Sequence, residues 1–405
     1  MKHRVAVTGL GVISPVGASP TDFYDSLAFG RSGIRALPGD DHVAAGVVAF
    51  EPDAHFSKLE LTGLDRFSQF ALVAAGQAMA DAGLGREDLT APRVGVYFGS
   101  GIGGAGAIEA GYAGFFKDDL RRVPPSSVMA TMSNAAASHI SIKFGIRGPV
   151  VNYSVACASS AIAIGEALRS VRDGYLDIAI AGGSESLLNP GSVAAWSAMK
   201  VLAKRDPMHP EASCKPFSKD RSGLVLGEGA GVIVIERLEH AVARGRRIHA
   251  ELSGYGVASD AKFITKPSRS GQVAALQDAL RDSGLSPGDI DYLNAHGTAT
   301  LIGDVVETEA IKEVFGARAY DLPVSSTKAL HGHLMGAAGA VEFIASVMSI
   351  ANRTLLPTCN YSARDPECDL DYVPNTARRD TDVEAVMSSS FAFGGSNAVL
   401  VAQRF

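Results

Sequence analysis

Residues 150–160 read VVNYSVACASS, and the first candidate for chemistry is the cysteine in that segment. A β-rich stretch ends at Val155, small residues surround Cys157, and Ala161, Ile164, Ala167 and Leu168 follow in a helical pattern. The pattern predicts a strand-to-helix turn with Cys157 close to a helix N-terminus. Unpaired N–H groups and the positive end of the helix dipole stabilise a thiolate there, and small neighbours let a substrate approach the sulfur. The segment equally fits a buried structural cysteine, a common role for this residue. Cys214, Cys359 and Cys368 have no comparable setting.

Two histidine-bearing segments follow. Residues 292–300 read YLNAHGTAT. His296 comes after a short apolar strand and before Gly297, which permits a tight turn, and Thr298 and Thr300 place hydroxyls beside it. Such a histidine is placed to meet a ligand, or is a satisfied structural one. Residues 324–339 read VSSTKALHGHLMGAAG. Lys328 follows strand-like residues 323–326, His331 and His333 flank Gly332, and a small-residue helix over 335–345 can pack very closely against a neighbour. Glu342 lies within that apolar helix, where an unpaired charge is costly; Lys328 is its candidate partner. The two imidazoles of HGH, with His296 as a third, form a rival metal-ligand set. No carboxylate lies at a familiar ligand spacing, and no metal is expected.

Near the C-terminus, residues 388–399 read SSSFAFGGSNAV. Phe393, Gly394 and Gly395 form a turn that presents backbone N–H groups and an aromatic side chain. It can supply half of an oxyanion hole or serve as a hairpin turn. It is not a phosphate loop, since no GxxxxGK[ST] occurs. Residues 100–104 (SGIGG) lack the rest of a dinucleotide fingerprint, so no cofactor is expected.

The elements that must position these residues alternate strand and helix. Residues 4–8, 93–99, 176–181 and 231–236 read as buried strands, and 66–82 and 159–173 as helices. After GEGAG at 227–231 and its strand come a helix at 238–244 and a strand at 248–254. A helix at 271–283 and a strand at 290–294 repeat the alternation, which indicates an α/β fold. Two halves, 1–245 and 246–405, are expected to form one rigid body, since no long linker or low-complexity segment occurs. No sequence-level repeat proves them duplicates. The chain has 405 residues, 46% apolar and 20% charged, with a formal net charge of −6 and a pI near 5.9. No long basic run supports a nucleic-acid or anionic-membrane partner, and no run approaches the roughly 18 apolar residues of a membrane span. The N-terminal KHR followed by VAV reads as a first strand rather than a signal peptide, because Thr8, Gly9 and Gly11 interrupt the apolar run. Few cysteines without a CxxC pair fit a reduced, cytoplasmic protein.

Taken together, these segments resemble the β-ketoacyl-acyl-carrier-protein synthase family, in its elongating type I/II branch. The resemblance runs from VAVTGLGVISPVG through GPVVNYSVACASS, LDIAIAGGSES, RSGLVLGEGAGVIVIE, NAHGTAT and SSTKALHGHLMGAAGAVE to FAFGGSN. It implies a thiolase-like fold, with two similar α/β halves stacked in five layers, α-β-α-β-α. The implied activity is decarboxylative condensation of a Cys157-bound acyl chain with a malonyl group, both delivered on the phosphopantetheine of an acyl carrier protein in fatty acid biosynthesis. Neither a metal nor another cofactor is implied. The resemblance implies that the N–H groups of Cys157 and Phe393 form an oxyanion hole, and that His296 and His333 stabilise the enolate. Lys328 would polarise the site with Glu342 beside it. Thr298 and Thr300 would touch the pantetheine arm, Phe393 and Gly394 would meet substrate, and Asp304 and Glu307 would support the site. A homodimer is implied, or a heterodimer with a related subunit. An acidic carrier calls for a basic rim, for which Arg66, Lys204 and Arg205 are candidates.

The sequence departs from the family at His331, where threonine is expected, and at Lys262 and Phe263, which replace an aromatic–histidine pair. The first puts an extra imidazole near the site. Together they bear on the acyl substrate and raise a ketosynthase of a specialised polyene or polyketide pathway, with a chain-length-factor partner, as the alternative. Other members of the superfamily fit less well. Thiolases use a second cysteine in the C-terminal glycine turn, which FAFGGSN lacks, and initiating synthases replace the lysine–histidine arrangement with asparagine.

Overall fold

The first strand runs through the residues expected to stop it. In the computed structural model, which describes residues 2–117 and 123–405, strand β1 spans Val5–Ile13 and is buried throughout. A Cβ at Gly9 would lie 2.0 Å from the carbonyl of Ala78, and one at Gly11 1.9 Å from that of Ala74. Both carbonyls belong to helix α1, Arg66–Asp81. The glycines therefore let the helix backbone rest directly on the strand, and close approach, not turning, explains them.

The remaining strands are β2 (Ile34–Leu37), β3 (Asp40–Gly46), β4 (Val94–Gly99), β5 (Val150–Tyr153), β6 (Ile178–Glu185), β7 (Leu226–Gly227), β8 (Gly229–Arg237), β9 (Ala250–Ser259), β10 (Tyr292–Asn294), β11 (Val324–Ser325), β12 (Ala385–Phe391) and β13 (Ser396–Gln403). Ten of them form one ladder in the order β11-β10-β12-β13-β9-β1-β8-β6-β4-β5, and β2, β3 and β7 form a small second sheet. The long ladder divides at β1–β9, which pair only at Ala6↔Glu251 and Val7↔Ala250. On one side β4 lies between β5 and β6, parallel to both, and β6, β8 and β1 continue antiparallel. On the other side β10 lies parallel between β11 and β12, and β12, β13 and β9 continue antiparallel. The two five-strand sets thus share one order and one set of strand senses. The sequence hides this likeness because a hydrogen-bond ladder fixes backbone path, not residue identity.

Helices complete five layers. Helix α1 and helix α2 (Ala135–Phe144) cover the outer face of the first set. Helices α3 (Ser159–Arg172) and α6 (Ala338–Asn352) lie side by side between the two sets, and α4 (Arg269–Ser283) and α5 (Gly303–Phe315) cover the far face. Gly339 on α6 allows the central pair to touch: a Cβ there would meet Ala161 of α3 at 2.7 Å. Among the described residues, Met335–Asn352 is long and apolar enough to cross a membrane, yet most of it is buried. Its composition is that of a helix sandwiched between two sheets. The turn preceding α3 and the turn preceding α6 both open toward the same central region.

If the glycines of β1 serve close packing, Gly9→Val should lower stability by about 2–3 kcal/mol or more through overpacking. Gly63→Ala, where an added Cβ meets nothing within 4 Å, should stay within about 0.5 kcal/mol. Urea midpoints of the two variants check the contrast.

Candidate active site

Strand β5 ends at Tyr153, and the chain reaches α3 through a short 3-10 turn, Ala156–Ala158, that carries Cys157. Ala156 adopts φ +45°, a conformation that costs a Cβ-bearing residue on the order of 1–2 kcal/mol. The Ser159 hydroxyl closes the turn, accepting from the Val155 N–H at 2.8 Å and donating to the Ala156 carbonyl at 2.7 Å. The sulfur is buried but lines a cavity of about 470 Å³. Burial pushes the Cys157 thiol up to about 11; the charge of Lys328 and the N–H groups of Phe393 and of Cys157 itself pull it back. Loss of hydration therefore outweighs these contacts and favours the thiol form.

His296 follows β10, and both oxygens of Glu307 hold the turn after it, accepting from the N–H groups of His296 and Gly297 at 2.7 Å each. His333 is held by its backbone: its N–H donates to Val225 at 2.7 Å and its carbonyl accepts from Gly227 at 2.9 Å. The two imidazoles meet edge to face, with centroids 5.3 Å apart. One donor atom from each of Cys157, His296 and His333 lies within 4.8 Å of the others. Burial, then the charge of Lys328, holds both histidines well below the ordinary imidazole range. Among the described residues, Nδ1 of His296 and both ring nitrogens of His333 have no hydrogen-bond partner. Two neutral rings thus face a thiol, with nitrogens free to donate to a ligand oxygen or to accept a proton.

Lys328 and Glu342 form an ion pair with both side chains fully buried. Burial raises Glu342 to about 7 despite the neighbouring ammonium. Neither lines the cavity, so Lys328 acts on the three reactive groups through its field. Asp304 and Glu307, on α5, are raised by burial to about 6 and about 8. Asp304 accepts from the Phe217 N–H at 2.7 Å. Thr298 and Thr300 line the cavity, their hydroxyls 3.2 Å apart.

The Phe393 turn is both a hairpin and a site element. It joins β12 to β13, and the Phe393 N–H lies close enough to the Cys157 sulfur to ease a negative charge there. Gly394 does not line the cavity: it is exposed, and its N–H is taken up by the Ile264 carbonyl at 2.7 Å. His331 does not add an imidazole to the site either. Its ring is fully buried, with Nδ1 2.7 Å from the Gly332 carbonyl and Nε2 3.0 Å from the Thr327 hydroxyl, and burial lowers it to about 3. The HGH pair is therefore no metal chelate. Cys157, His296 and His333 form the ligand-like cluster found among the described residues, but the Lys328 charge opposes a cation there. Arg66 is not free for docking: it forms an ion pair with Glu228 at 2.7 Å and lies over the Phe70 ring. Lys204 is exposed and Arg205 partly so.

This arrangement agrees with what the whole chain resembles. Residues 2–241 match the model of the β-ketoacyl synthase N-terminal domain, and 249–362 that of its C-terminal domain. The chain is 42% identical over 410 residues to a 3-oxoacyl-[acyl-carrier-protein] synthase 2 of Staphylococcus aureus, covering 99% of this chain and 98% of that protein. The chain belongs to the β-ketoacyl synthase family. Among solved structures, the ishigamide ketosynthase/chain length factor matches with a TM-score of 0.93 and 34% identity, covering all of both chains. A type II PKS ketosynthase, solved in complex with its acyl-carrier protein and bound to the hexaketide, matches with a TM-score of 0.92 and 32% identity, again over all of both chains. The thiolase-like fold expected from the motifs is the fold of this synthase.

Two further side chains have no counterpart in the sequence-based expectations. Trp196 stacks on Phe393, centroids 6.0 Å apart and planes within 22°; its signal was only that it is the one tryptophan in the chain. Glu185 is fully buried and ties separate segments together, accepting from Gly101 at 2.5 Å, Ile102 at 3.3 Å, Ser100 at 3.1 Å and Gly336 at 3.1 Å. A carboxylate at the end of the apolar run LDIAIAGGSE was the available clue. Lys262 donates to Ser268 at 3.0 Å, and Phe263 is exposed. These departures sit in the segment whose Ile264 carbonyl holds the Phe393 turn.

Removing one partner of the buried pair should cost more than removing both. Lys328→Met is expected to lose about 3–5 kcal/mol of stability, and Lys328→Met with Glu342→Leu to recover most of it; equal losses in chemical denaturation would refute this. His331 carries a second expectation. Its folded value, about 3, lies below the unfolded value of roughly 6.5, so its contribution to stability is full above that pH and is lost as pH falls. The stability advantage of wild type over His331→Gln should shrink below about pH 6.5, by up to about 1.4 kcal/mol per pH unit. Denaturation midpoints at several pH values check it; a constant difference would mean that the ring charges freely in the fold.

Proposed function

We propose that this synthase catalyses 3-oxoacyl-[acyl-carrier-protein] formation, extending a Cys157-bound acyl chain by two carbons from a malonyl group, as in fatty acid biosynthesis. The observation that carries the reading is the meeting of the Cys157 sulfur with two neutral, unpartnered imidazoles in one cavity. In the first step the sulfur attacks the thioester carbonyl of the incoming chain. A new carbon–sulfur bond forms, the pantetheine sulfur leaves, and the thiol proton goes with it. The developing oxyanion meets the N–H groups of Cys157 and Phe393. Splitting the reaction at this thioester replaces one hard step with two easier ones.

In the second step the malonyl thioester places its carbonyl oxygen against His296 and His333. The bond to the carboxylate breaks, carbon dioxide leaves, and its electron pair becomes an enolate that the two N–H donors stabilise. Neutral rings suit this task, since each carries one N–H and needs no deprotonation. The enolate carbon then attacks the Cys157 thioester, and the tetrahedral oxyanion again meets the two backbone N–H groups. Collapse breaks the carbon–sulfur bond and expels the Cys157 thiolate, which takes one proton from solvent to restore the thiol. Lys328, paired with Glu342, steadies the negative charge by its field. Thr298 and Thr300 guide the pantetheine arm, Phe393 gates the acyl pocket, and Asp304 and Glu307 support the site.

The donor of both groups in this reading is an acyl carrier protein, the partner named for one of the similar ketosynthases. Exposed Lys200 and Lys266 on the cavity lining, with Lys204 nearby in sequence, support a basic rim for an acidic carrier. A homodimer is supported by the open edge of β5 and by exposed Tyr112, Phe115 and Phe116 on the helix Ala105–Lys117. The two matched domain models support a division into halves near residue 245. Four unpaired cysteines fit a reducing cytoplasm. The likeness to a ketosynthase/chain length factor favours one second reading, a ketosynthase of a polyene or polyketide pathway acting with a related subunit.

Mass spectrometry with acyl-carrier proteins of varied chain, then malonyl-carrier protein, tests the reading. An acyl adduct should form on Cys157, vanish in Cys157→Ala, and yield a 3-oxoacyl product two carbons longer. His296→Ala and His333→Ala should still take the acyl group but lose about 10²–10³ in condensation rate. Absence of an adduct with every chain would overturn an independent synthase; an adduct that appears only with a related subunit would favour the second reading.

A further inference from the structure

The backbone between His296 and helix α5 carries Thr298 and Thr300 and is not relaxed. Ala299 sits at φ +64°, a region costly for any residue with a Cβ. The bend has a purpose. In an extended strand, side chains two residues apart stand roughly 6.6 Å apart, whereas the hydroxyls of Thr298 and Thr300 lie 3.2 Å apart, both on the cavity wall. Something must hold that bend.

Asp304 holds it from one side, its N–H donating to the Thr300 carbonyl at 3.4 Å, and one short segment holds it from the other. Three consecutive carbonyls accept hydrogen bonds from residues 221–223: Ala299 from the Gly223 N–H at 3.0 Å, Thr300 from Arg221 Nε at 3.2 Å and Leu301 from Arg221 Nη2 at 3.0 Å. The third nitrogen, Nη1, donates to the Ser218 carbonyl at 3.0 Å and to Asp365. Arg221 is buried and takes no part in the chemistry described above. A planar fork is required, because donors must reach two adjacent carbonyls and a carboxylate at once; an ammonium cannot span them.

We propose that Arg221 is the positioning residue for the thioester arm. It holds the strained backbone so that the two threonine hydroxyls present one binding surface, and it does not touch substrate itself. The inference rests on the condensing reading given above. The turn carrying Cys157 is fixed by Ser159, His296 by Glu307, and His333 by Val225 and Gly227. Loss of the fork should therefore weaken binding of the arm more than it slows chemistry.

Steady-state kinetics with malonyl-carrier protein tests this in Arg221→Lys, which keeps the charge opposite Asp365, and in Arg221→Met. KM should rise about tenfold or more, with kcat held within about threefold, the signature of lost uniform binding. A truncated malonyl thioester without the arm should show no KM change in either variant. Ala299→Gly, which adopts a positive φ without strain, should recover most of the lost affinity when combined with Arg221→Lys, a rescue that a merely structural role would not give. A fall in kcat with KM unchanged, or equal losses with full and truncated thioesters, would overturn the role. An active wild type with an unaffected Arg221→Lys defeats this proposal alone; an inactive wild type defeats it together with the reading beneath it.

Discussion

A buried ammonium organises the centre of this protein. Lys328 has no access to water, and its ion-pair partner is Glu342 on the helix sandwiched between the two strand sets. Its field adds to the burial that depresses His296 and His333, and it lowers the cost of a negative sulfur at Cys157. The same dryness that makes the ammonium expensive makes its field reach these groups without dilution by solvent. The central helix is thus more than packing: it delivers the carboxylate that makes the charge tolerable.

The doubled architecture explains how the reactive groups meet. Cys157 comes from the first five-strand set, and His296 and His333 from the second. In each set the carboxyl ends of the parallel strands lead into turns facing the shared helical layer, the usual place for a site in an α/β sheet. The proposed nucleophile and the proposed charge-stabilising donors are thereby held on separate frameworks. Each can be positioned by its own hydrogen bonds without compromising the other.

Much of this was legible in the chain. The strand-to-helix turn at Cys157, the pairing of Lys328 with Glu342 and the placement of His296 at a strand end follow from local pattern and the cost of isolated charge. Three features did not. His331 looked like part of the site because neighbours in sequence suggest neighbours in space, yet the left-handed Gly332 separates its ring from that of His333. Gly394 sits in the right turn, but its N–H faces a segment more than a hundred residues earlier. Arg66 looked like a surface charge, while its partner Glu228 lies far along the chain. The last two misses concern contacts set by tertiary folding, which periodicity does not encode, whereas the first turns on the local conformation of one glycine.

The stacking of Trp196 on Phe393 has a consequence of another kind. The chain has one tryptophan, and it lies against the aromatic whose backbone approaches the Cys157 sulfur. The emission of that single indole depends on its exposure and on the ring beside it. The protein therefore contains its own optical reporter, with no background from other indoles, for every movement of the turn that covers Cys157.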